Sequence, residues 1–322
     1  MSLNKNINYM KMEEFNMYLG YLTGCLGAMP LKEKAKIARD YGFKALEVSC
    51  WPRDNGRDYS GSDIDVVNLT EEEANEIKAY LKEYGLKITS LAYYDNNLDK
   101  NPERREFINN HFKKCVDAAV MLGVEAVGTF VGRNVDKNID DNFEDFEEVF
   151  TNLVGYAEER GIKVVIENCD MNGWHRKGEP GTISFTPELW REMFRRVPNK
   201  NFGLNYDPSH LHHLLIDYIA PLDEFKDRIF HTHAKDTEIF KDKLNKYGKW
   251  DKQLNNTEDF GYWRYRMPGL GDIDWKSFIE KLKEVGYEGV MSIEHEDPLY
   301  EGSEEKVKEG LKLGIEYLGK LI

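Results

Sequence analysis

Cysteine is scarce in this chain and scattered where it occurs: Cys25, Cys50, Cys115 and Cys169 include no C-x-x-C pair. Neither a zinc knuckle nor a disulfide framework is expected, and a reducing cytoplasm suits such a composition. Long apolar runs are missing too. The opening stretch MSLNKNINYMKMEEFN lacks the apolar centre of a secretion signal, and no run approaches the roughly 18 apolar residues of a membrane span. Positive charge is in deficit, with 44 Lys and Arg against 58 Asp and Glu and a net charge of −14. That balance repels the phosphate backbone of a nucleic acid. No G-x-G-x-x-G loop follows the first strand-like run, which weighs against an open dinucleotide-binding sheet. The expectation is a cytoplasmic protein that engages neither membrane nor nucleic acid.

What is present is enough apolar material for a large core, 41% of 322 residues, under a surface in which 32% of residues are charged. Short apolar runs recur along the chain as MYLGYLTGCLG, YGFKALEVSC, YGLKITSLAYYD, LGVEAVGTFVG, RGIKVVIENC, NFGLNYDPSH, RIFHTHAKD and GYEGVMSIEHED. Between them lie charge-rich stretches with apolar residues three and four apart, which is the helical period. Thr70 followed by Glu73 forms a capping box, Pro102 suits a first helical turn, and Gly42, Gly85, Gly123, Gly161 and Gly286 stand where helices end. Eight strands alternating with helices imply parallel pairing, and runs apolar on both faces imply a sheet covered on both sides. The predicted fold is a (β/α)8 TIM barrel over 17–322, one domain with an extension at 1–16. A polar insertion at 237–268, after strand 7, reads as a long functional loop.

In such a barrel the C-terminal strand ends share one face. Glu167 ends strand 5, Asp207 and His210 end strand 6, His233 ends strand 7 and Glu294 ends strand 8. Buried carboxylates need a partner or a cation, and four strands feeding them to one mouth point to a divalent metal. An oxygen-rich set with one imidazole suits Mn2+, with Mg2+, Co2+ and Zn2+ as alternatives. The pattern alone leaves His231 or His233, and Glu294 or Glu296, open, since each pair shares a strand face. His212 and His213 read as helix-surface residues. His175, in the loop DMNGWHRKGEPG, reads as either a substrate contact or a solvated residue. Aromatic residues form 12% of the chain, and Trp51, Tyr93, Tyr94, Trp174 and Trp263 fall in or near the mouth loops, where rings stack on sugars; about half of them are expected in the core. Cys169 sits beside Glu167, without the positive surroundings that make a thiolate, so no nucleophile is expected there.

The motifs VVIENCD, LNYDPSHL, FHTHAKD, GLGDIDW and SIEHED together resemble the sugar phosphate isomerase/epimerase family, the xylose isomerase-like TIM barrels of the AP endonuclease family 2 superfamily. The resemblance implies metal ligands at Glu167, Asp207, His233 and Glu294, and a substrate-binding histidine at His210. It also implies double duty for Glu167 and Glu294 as the groups exchanging protons with substrate, and places Lys235 and Asp236 as ligand supports or substrate contacts. The substrate-binding arginine of the family's ketose epimerases has no match at its spacing, because Arg264 and Arg266 lie beyond the insertion. Homo-oligomers are common in this family.

A divalent cation on a carbonyl and its neighbouring hydroxyl stabilises the enediolate left when the adjacent proton departs, and a base about 3 Å away removes that proton. The expected activity is therefore isomerization or epimerization of a keto-sugar or polyol ketone. If the intermediate expels a β-oxygen instead, the same site becomes a lyase of the inosose dehydratase type. The resemblance extends to apurinic endonucleases, which need further histidines that strands 3 and 4 do not supply.

Overall fold

The computed structural model describes residues 17–52, 62–171, 179–249 and 261–322. Its barrel strands are β1 (Tyr18–Leu22), β2 (Ala45–Ser49), β3 (Lys87–Asn96), β4 (Ala126–Phe130), β5 (Lys163–Glu167), β6 (Phe202–Tyr206), β7 (Ile229–Ala234) and β10 (Val290–Ile293). They pair in parallel, and β1 joins β10 through Tyr18↔Val290 and Leu19↔Met291 to close the ring. These strands formed because their runs can be apolar on both faces: β2, β4, β6 and β10 are buried at every residue, by the barrel interior on one side and helices on the other.

The helices around them are α1 (Leu31–Tyr41), α2 (Glu71–Glu83), α3 (Pro102–Leu122), α4 (Ile139–Glu158), α5 (Pro187–Arg196), α6 (Pro208–His213), α7 (Pro221–Phe225), α9 (Trp275–Glu284) and α10 (Glu304–Leu318). Their ends follow the sequence. The Thr70 hydroxyl accepts from Glu73 N–H at 3.2 Å while the Glu73 carboxylate accepts from Thr70 N–H at 2.9 Å, completing the capping box of α2. Gly42 and Gly123 close α1 and α3 at φ 90° and 71°, a left-handed turn that a side chain would strain. The apolar stripe of α4 sets Phe146 and Phe150 against Phe202 of β6, with ring centroids 6.1 and 5.7 Å apart. Burial of each such ring contributes about 2 kcal/mol. Among the described residues no helix is long and apolar enough to cross a membrane.

The described residues of the insertion expected as a loop form secondary structure. β8 (Asp236–Ile239) and β9 (Trp263–Arg266) pair antiparallel, from Asp236↔Arg266 to Ile239↔Trp263, and α8 (Lys241–Tyr247) lies between them in sequence. The sequence WRYR alternates aromatic and basic, and the strand sorts the two classes to opposite faces. Arg264 and Arg266 bond to Glu238 at 2.8 Å each, whereas Trp263 and Tyr265 turn towards α6.

Asp236 fastens this ribbon to the barrel. Its Oδ1 accepts from Thr237 N–H (2.8 Å) and Ile273 N–H (3.0 Å), and its Oδ2 from Gly269 N–H and the Trp275 indole (2.9 Å each). A Cβ on Gly271 would meet Asp236 Oδ1 at 2.3 Å, which is why GLGD can wrap so closely. With both oxygens engaged by four N–H donors, Asp236 serves the fold, where the resemblance implied a ligand support or a substrate contact. Removing it orphans those donors, so Asp236→Ala should cost about 3 kcal/mol of stability, while Trp275→Phe, which removes one bond, should cost about 1 kcal/mol. Urea unfolding of the two variants checks the ranking.

Candidate active site

Five side chains from four strand ends converge at the mouth of the barrel. Glu167 is the last residue of β5 and pairs in register with Asn205 of β6. Asp207 caps the short helix α6, its Oδ1 accepting from Ser209 N–H at 2.7 Å, so its second oxygen is left facing the mouth of the barrel. His233 lies on β7, Lys235 follows it, and Glu294 follows β10. All five are buried.

His233 is the hub. Its Nδ1 lies 2.8 Å from Glu167 Oε1 and 3.0 Å from Glu294 Oε2, and its Nε2–H donates to Glu47 Oε2 at 2.9 Å. Glu47, a carboxylate between the apolar residues Leu46 and Val48 of β2, also accepts from the Tyr94 hydroxyl (2.6 Å) and Ser292 Oγ (2.8 Å). Burial alone would raise the Glu47 carboxyl, but the His233 and His231 charges and these hydrogen bonds outweigh it and hold the group at about 2. Burial likewise opposes charge on His233, yet Glu47, Glu294 and Glu167 raise it well above the ordinary imidazole value.

His210 approaches from α6. Its Nε2 stands 3.3 Å from both Glu167 Oε1 and Asp207 Oδ2, and its Nδ1 is 3.1 Å from the Tyr265 hydroxyl. Burial and the Lys235 charge push its imidazole well below the usual range, which leaves a neutral ring with a lone pair to offer. Lys235 Nζ lies 2.6 Å from Glu294 Oε2, 3.0 Å from Glu296 Oε2 and 3.4 Å from Asp207 Oδ2, above the Tyr265 ring at 4.4 Å.

The donor set fits a divalent cation on two observations. Glu167, Asp207, His210 and Glu294 each offer an atom within 4.8 Å of all the others, and His233 reaches both glutamates. Asp207 Oδ2 is buried with no hydrogen-bond partner. Burial lifts the Asp207 carboxyl to about 7 despite the Lys235 charge, with Glu167 and Glu294 adding to the rise. His233 and Lys235 thus leave part of the carboxylate charge gathered here without a counter-charge, which a divalent cation would supply. The His233 arrangement, one nitrogen to the ligand group and the other to Glu47, is how metal-binding imidazoles are held.

The remaining residues singled out in the sequence divide between the described and the undescribed parts of the chain. Trp174 and His175 lie outside the described residues. Trp51, Tyr93, Tyr94 and Trp263 are all buried, and the Tyr94 hydroxyl binds Glu47 instead of facing a sugar. His213, expected on a helix surface, is completely buried and stacks on Trp263, because the ribbon covers α6; His212 is half-buried. Burial pushes the Cys169 thiol up, in keeping with an inert sulfur. Glu47, Asn205 and Tyr265 were missed. Glu47 had a signal, an acid between two apolar residues of a strand; Tyr265 had none, since only the folded ribbon brings it to His210.

The fold and the site define a class, a barrel with an acidic, imidazole-bearing mouth. The xylose isomerase-like TIM barrel model matches residues 35–318, and the chain belongs to that family. An inosose isomerase of Bacillus velezensis is 24% identical, over 84% of this chain and 85% of its own length. An inosose dehydratase of Geobacillus thermodenitrificans is 32% identical over 44% of this chain and 43% of its own. The crystal structure of the IolI protein with a bound zinc atom superposes with a TM-score of 0.70 at 21% identity, covering 95% of this chain and 99% of that one.

Glu47 orients His233, so Glu47→Gln should weaken divalent-ion binding about 10–100-fold while the barrel stays folded. Calorimetric titration with Mn2+ or Zn2+ measures it, and unchanged affinity would remove Glu47 from the site.

Proposed function

We propose that the chain is a divalent-metal-dependent isomerase or epimerase of a keto-sugar or polyol ketone, with an inosose as the first substrate class to try. The observation that carries the reading is the convergence of Glu167 and Glu294 on one His233 nitrogen, at 2.8 and 3.0 Å, from strands on different sides of the mouth. Glu167, Asp207, His233 and Glu294 would hold the ion, with His210 beside them. Mn2+ is the proposed ion by donor chemistry, and the zinc-bearing IolI barrel supports a divalent metal in this fold. Bound there, the ion would supply positive charge to a substrate carbonyl and its neighbouring oxygen.

The chain's own groups would then move the proton. One glutamate takes the proton next to the carbonyl, and the other returns one to the same or the neighbouring carbon. Both are available as bases: burial would raise Glu167, but the Lys235 and His233 charges hold it low, and the same two charges lower Glu294 against burial and the repulsion of Glu167. Lys235, buried against Glu294 and Asp207, sets the position of the Glu294 carboxylate. The buried mouth excludes bulk water from the intermediate.

A second reading, β-elimination of water, is favoured by the dehydratase relative, whose 32% identity exceeds that of the isomerase over a shorter span. Incubation of the Mn2+-loaded protein with inososes and keto-sugars in D2O, followed by NMR, separates the two. Deuterium at the α-carbon with a rearranged sugar marks isomerization, whereas a new vinylic signal marks elimination. Glu167→Gln and Glu294→Gln should each slow turnover about 10²–10⁴-fold with the fold retained. Full turnover by Glu167→Gln would sink the proton-transfer assignment.

A further inference from the structure

Next to the cluster already described lies a second group of donors. Asp170, three residues beyond Glu167, and His213, three beyond His210, offer atoms that together with His210 lie within 4.8 Å of one another. His213 is completely buried, yet neither of its ring nitrogens has a hydrogen-bond partner. A buried imidazole left in that state forgoes hydrogen bonds it would make in water, so its position asks for an explanation. Its ring is held flat against Trp263, with centroids 3.9 Å apart and planes 8° from parallel, and the Tyr262 hydroxyl donates to the His213 carbonyl. Both aromatic residues adjoin or belong to β9, so the inserted ribbon is what fixes this histidine.

From this geometry we infer that Asp170, His210 and His213 form a second cation site, suited to Zn2+. Two atoms bound at 2.0–2.1 Å to one tetrahedral ion stand roughly 3.3 Å apart, and His213 Nε2 lies 3.5 Å from Asp170 Oδ1. A pair at that distance is set for a shared ion. Two imidazoles and one carboxylate make a donor set that zinc favours over Mg2+ or Mn2+, and leave its fourth position open. His210 stands between the two groups, and with His233 supplying the imidazole beside Glu167 and Glu294 it is available to the second ion. The oxygen-rich cluster and the imidazole-rich one are thus tuned to different metals a few ångströms apart.

Elemental analysis decides it. The full chain, loaded with Zn2+ and passed over a chelating resin, should retain about two ions, and His213→Ala and Asp170→Asn should each retain about one. Glu294→Gln, which strikes the first cluster, should lose the other ion and keep the His213-dependent one. Loading with Co2+ gives a second readout, because a four-coordinate imidazole site absorbs strongly in the visible and His213→Ala should lose that band. Circular dichroism and unfolding midpoints confirm that the variants fold; if His213→Ala does not, Asp170→Asn carries the comparison. Retention of the wild-type metal content by both His213→Ala and Asp170→Asn would overturn the second site. So would a wild-type protein holding a single ion that Glu294→Gln alone removes, an outcome that leaves the proposed function standing. A single ion lost in His213→Ala but kept in Glu294→Gln would uphold the second site and sink the first.

Discussion

Everything at the mouth of this barrel depends on one buried imidazole held between carboxylates. Glu47 grips His233 from the barrel interior, and Glu167 and Glu294 meet it from the rim. An isolated carboxylate in such a place would be expelled or neutralised, but here each negative group has a positive or hydrogen-bonding neighbour. The arrangement is therefore self-supporting only as a set. Breaking one member leaves the others buried and unpaired, which costs more than the pair contributes. That interdependence fixes the glutamates to a narrow range of positions, and narrow positions are what proton transfer demands.

The barrel makes such a set affordable by geometry. Parallel strands all end on one face, so residues far apart in sequence, such as Glu47 and Glu294, meet across the interior without any long connection between them. The strands are rigid because they are buried on both sides, and the side chains at their ends inherit that rigidity. The ribbon of β8 and β9 adds what the barrel lacks, aromatic cover over α6, and Asp236 anchors it through four N–H donors. Cover by Trp263 and Tyr265 lowers the local dielectric, and this strengthens every charge interaction beneath it.

Under the proposed function the same site would support more than one outcome. Isomerization, epimerization and elimination share their first step, removal of a proton beside a carbonyl, and diverge only in what the intermediate does next. Relatives named as an inosose isomerase and as an inosose dehydratase are consistent with that common step. Which branch a member follows depends on where the second proton donor stands and whether a leaving group is aligned, and those are matters of ångströms within one architecture.

By itself the sequence determined the architecture and which strand ends carry acids and imidazoles, while the folded barrel set His233, and not His231, between Glu167 and Glu294. Eight apolar runs at helical intervals permit little other than a closed parallel barrel, and Glu167, Asp207, His233 and Glu294 stand at strand ends, where the chain's own periodicity brings them to one face. Helix ends at Thr70, Gly42 and Gly123 were legible because capping is local chemistry. Tertiary structure decided the rest. Glu47 lies some 120 residues from the nearest of those acids, and only closure of the ring makes it the support of His233. His213 reads as a surface histidine on a short polar helix until the ribbon folds over it, and Asp236 reads as a site residue until the GLGD turn wraps its carboxylate. In each case the deciding contact is between segments that carry no shared pattern, and burial of a polar group by a distant segment leaves no trace in local periodicity.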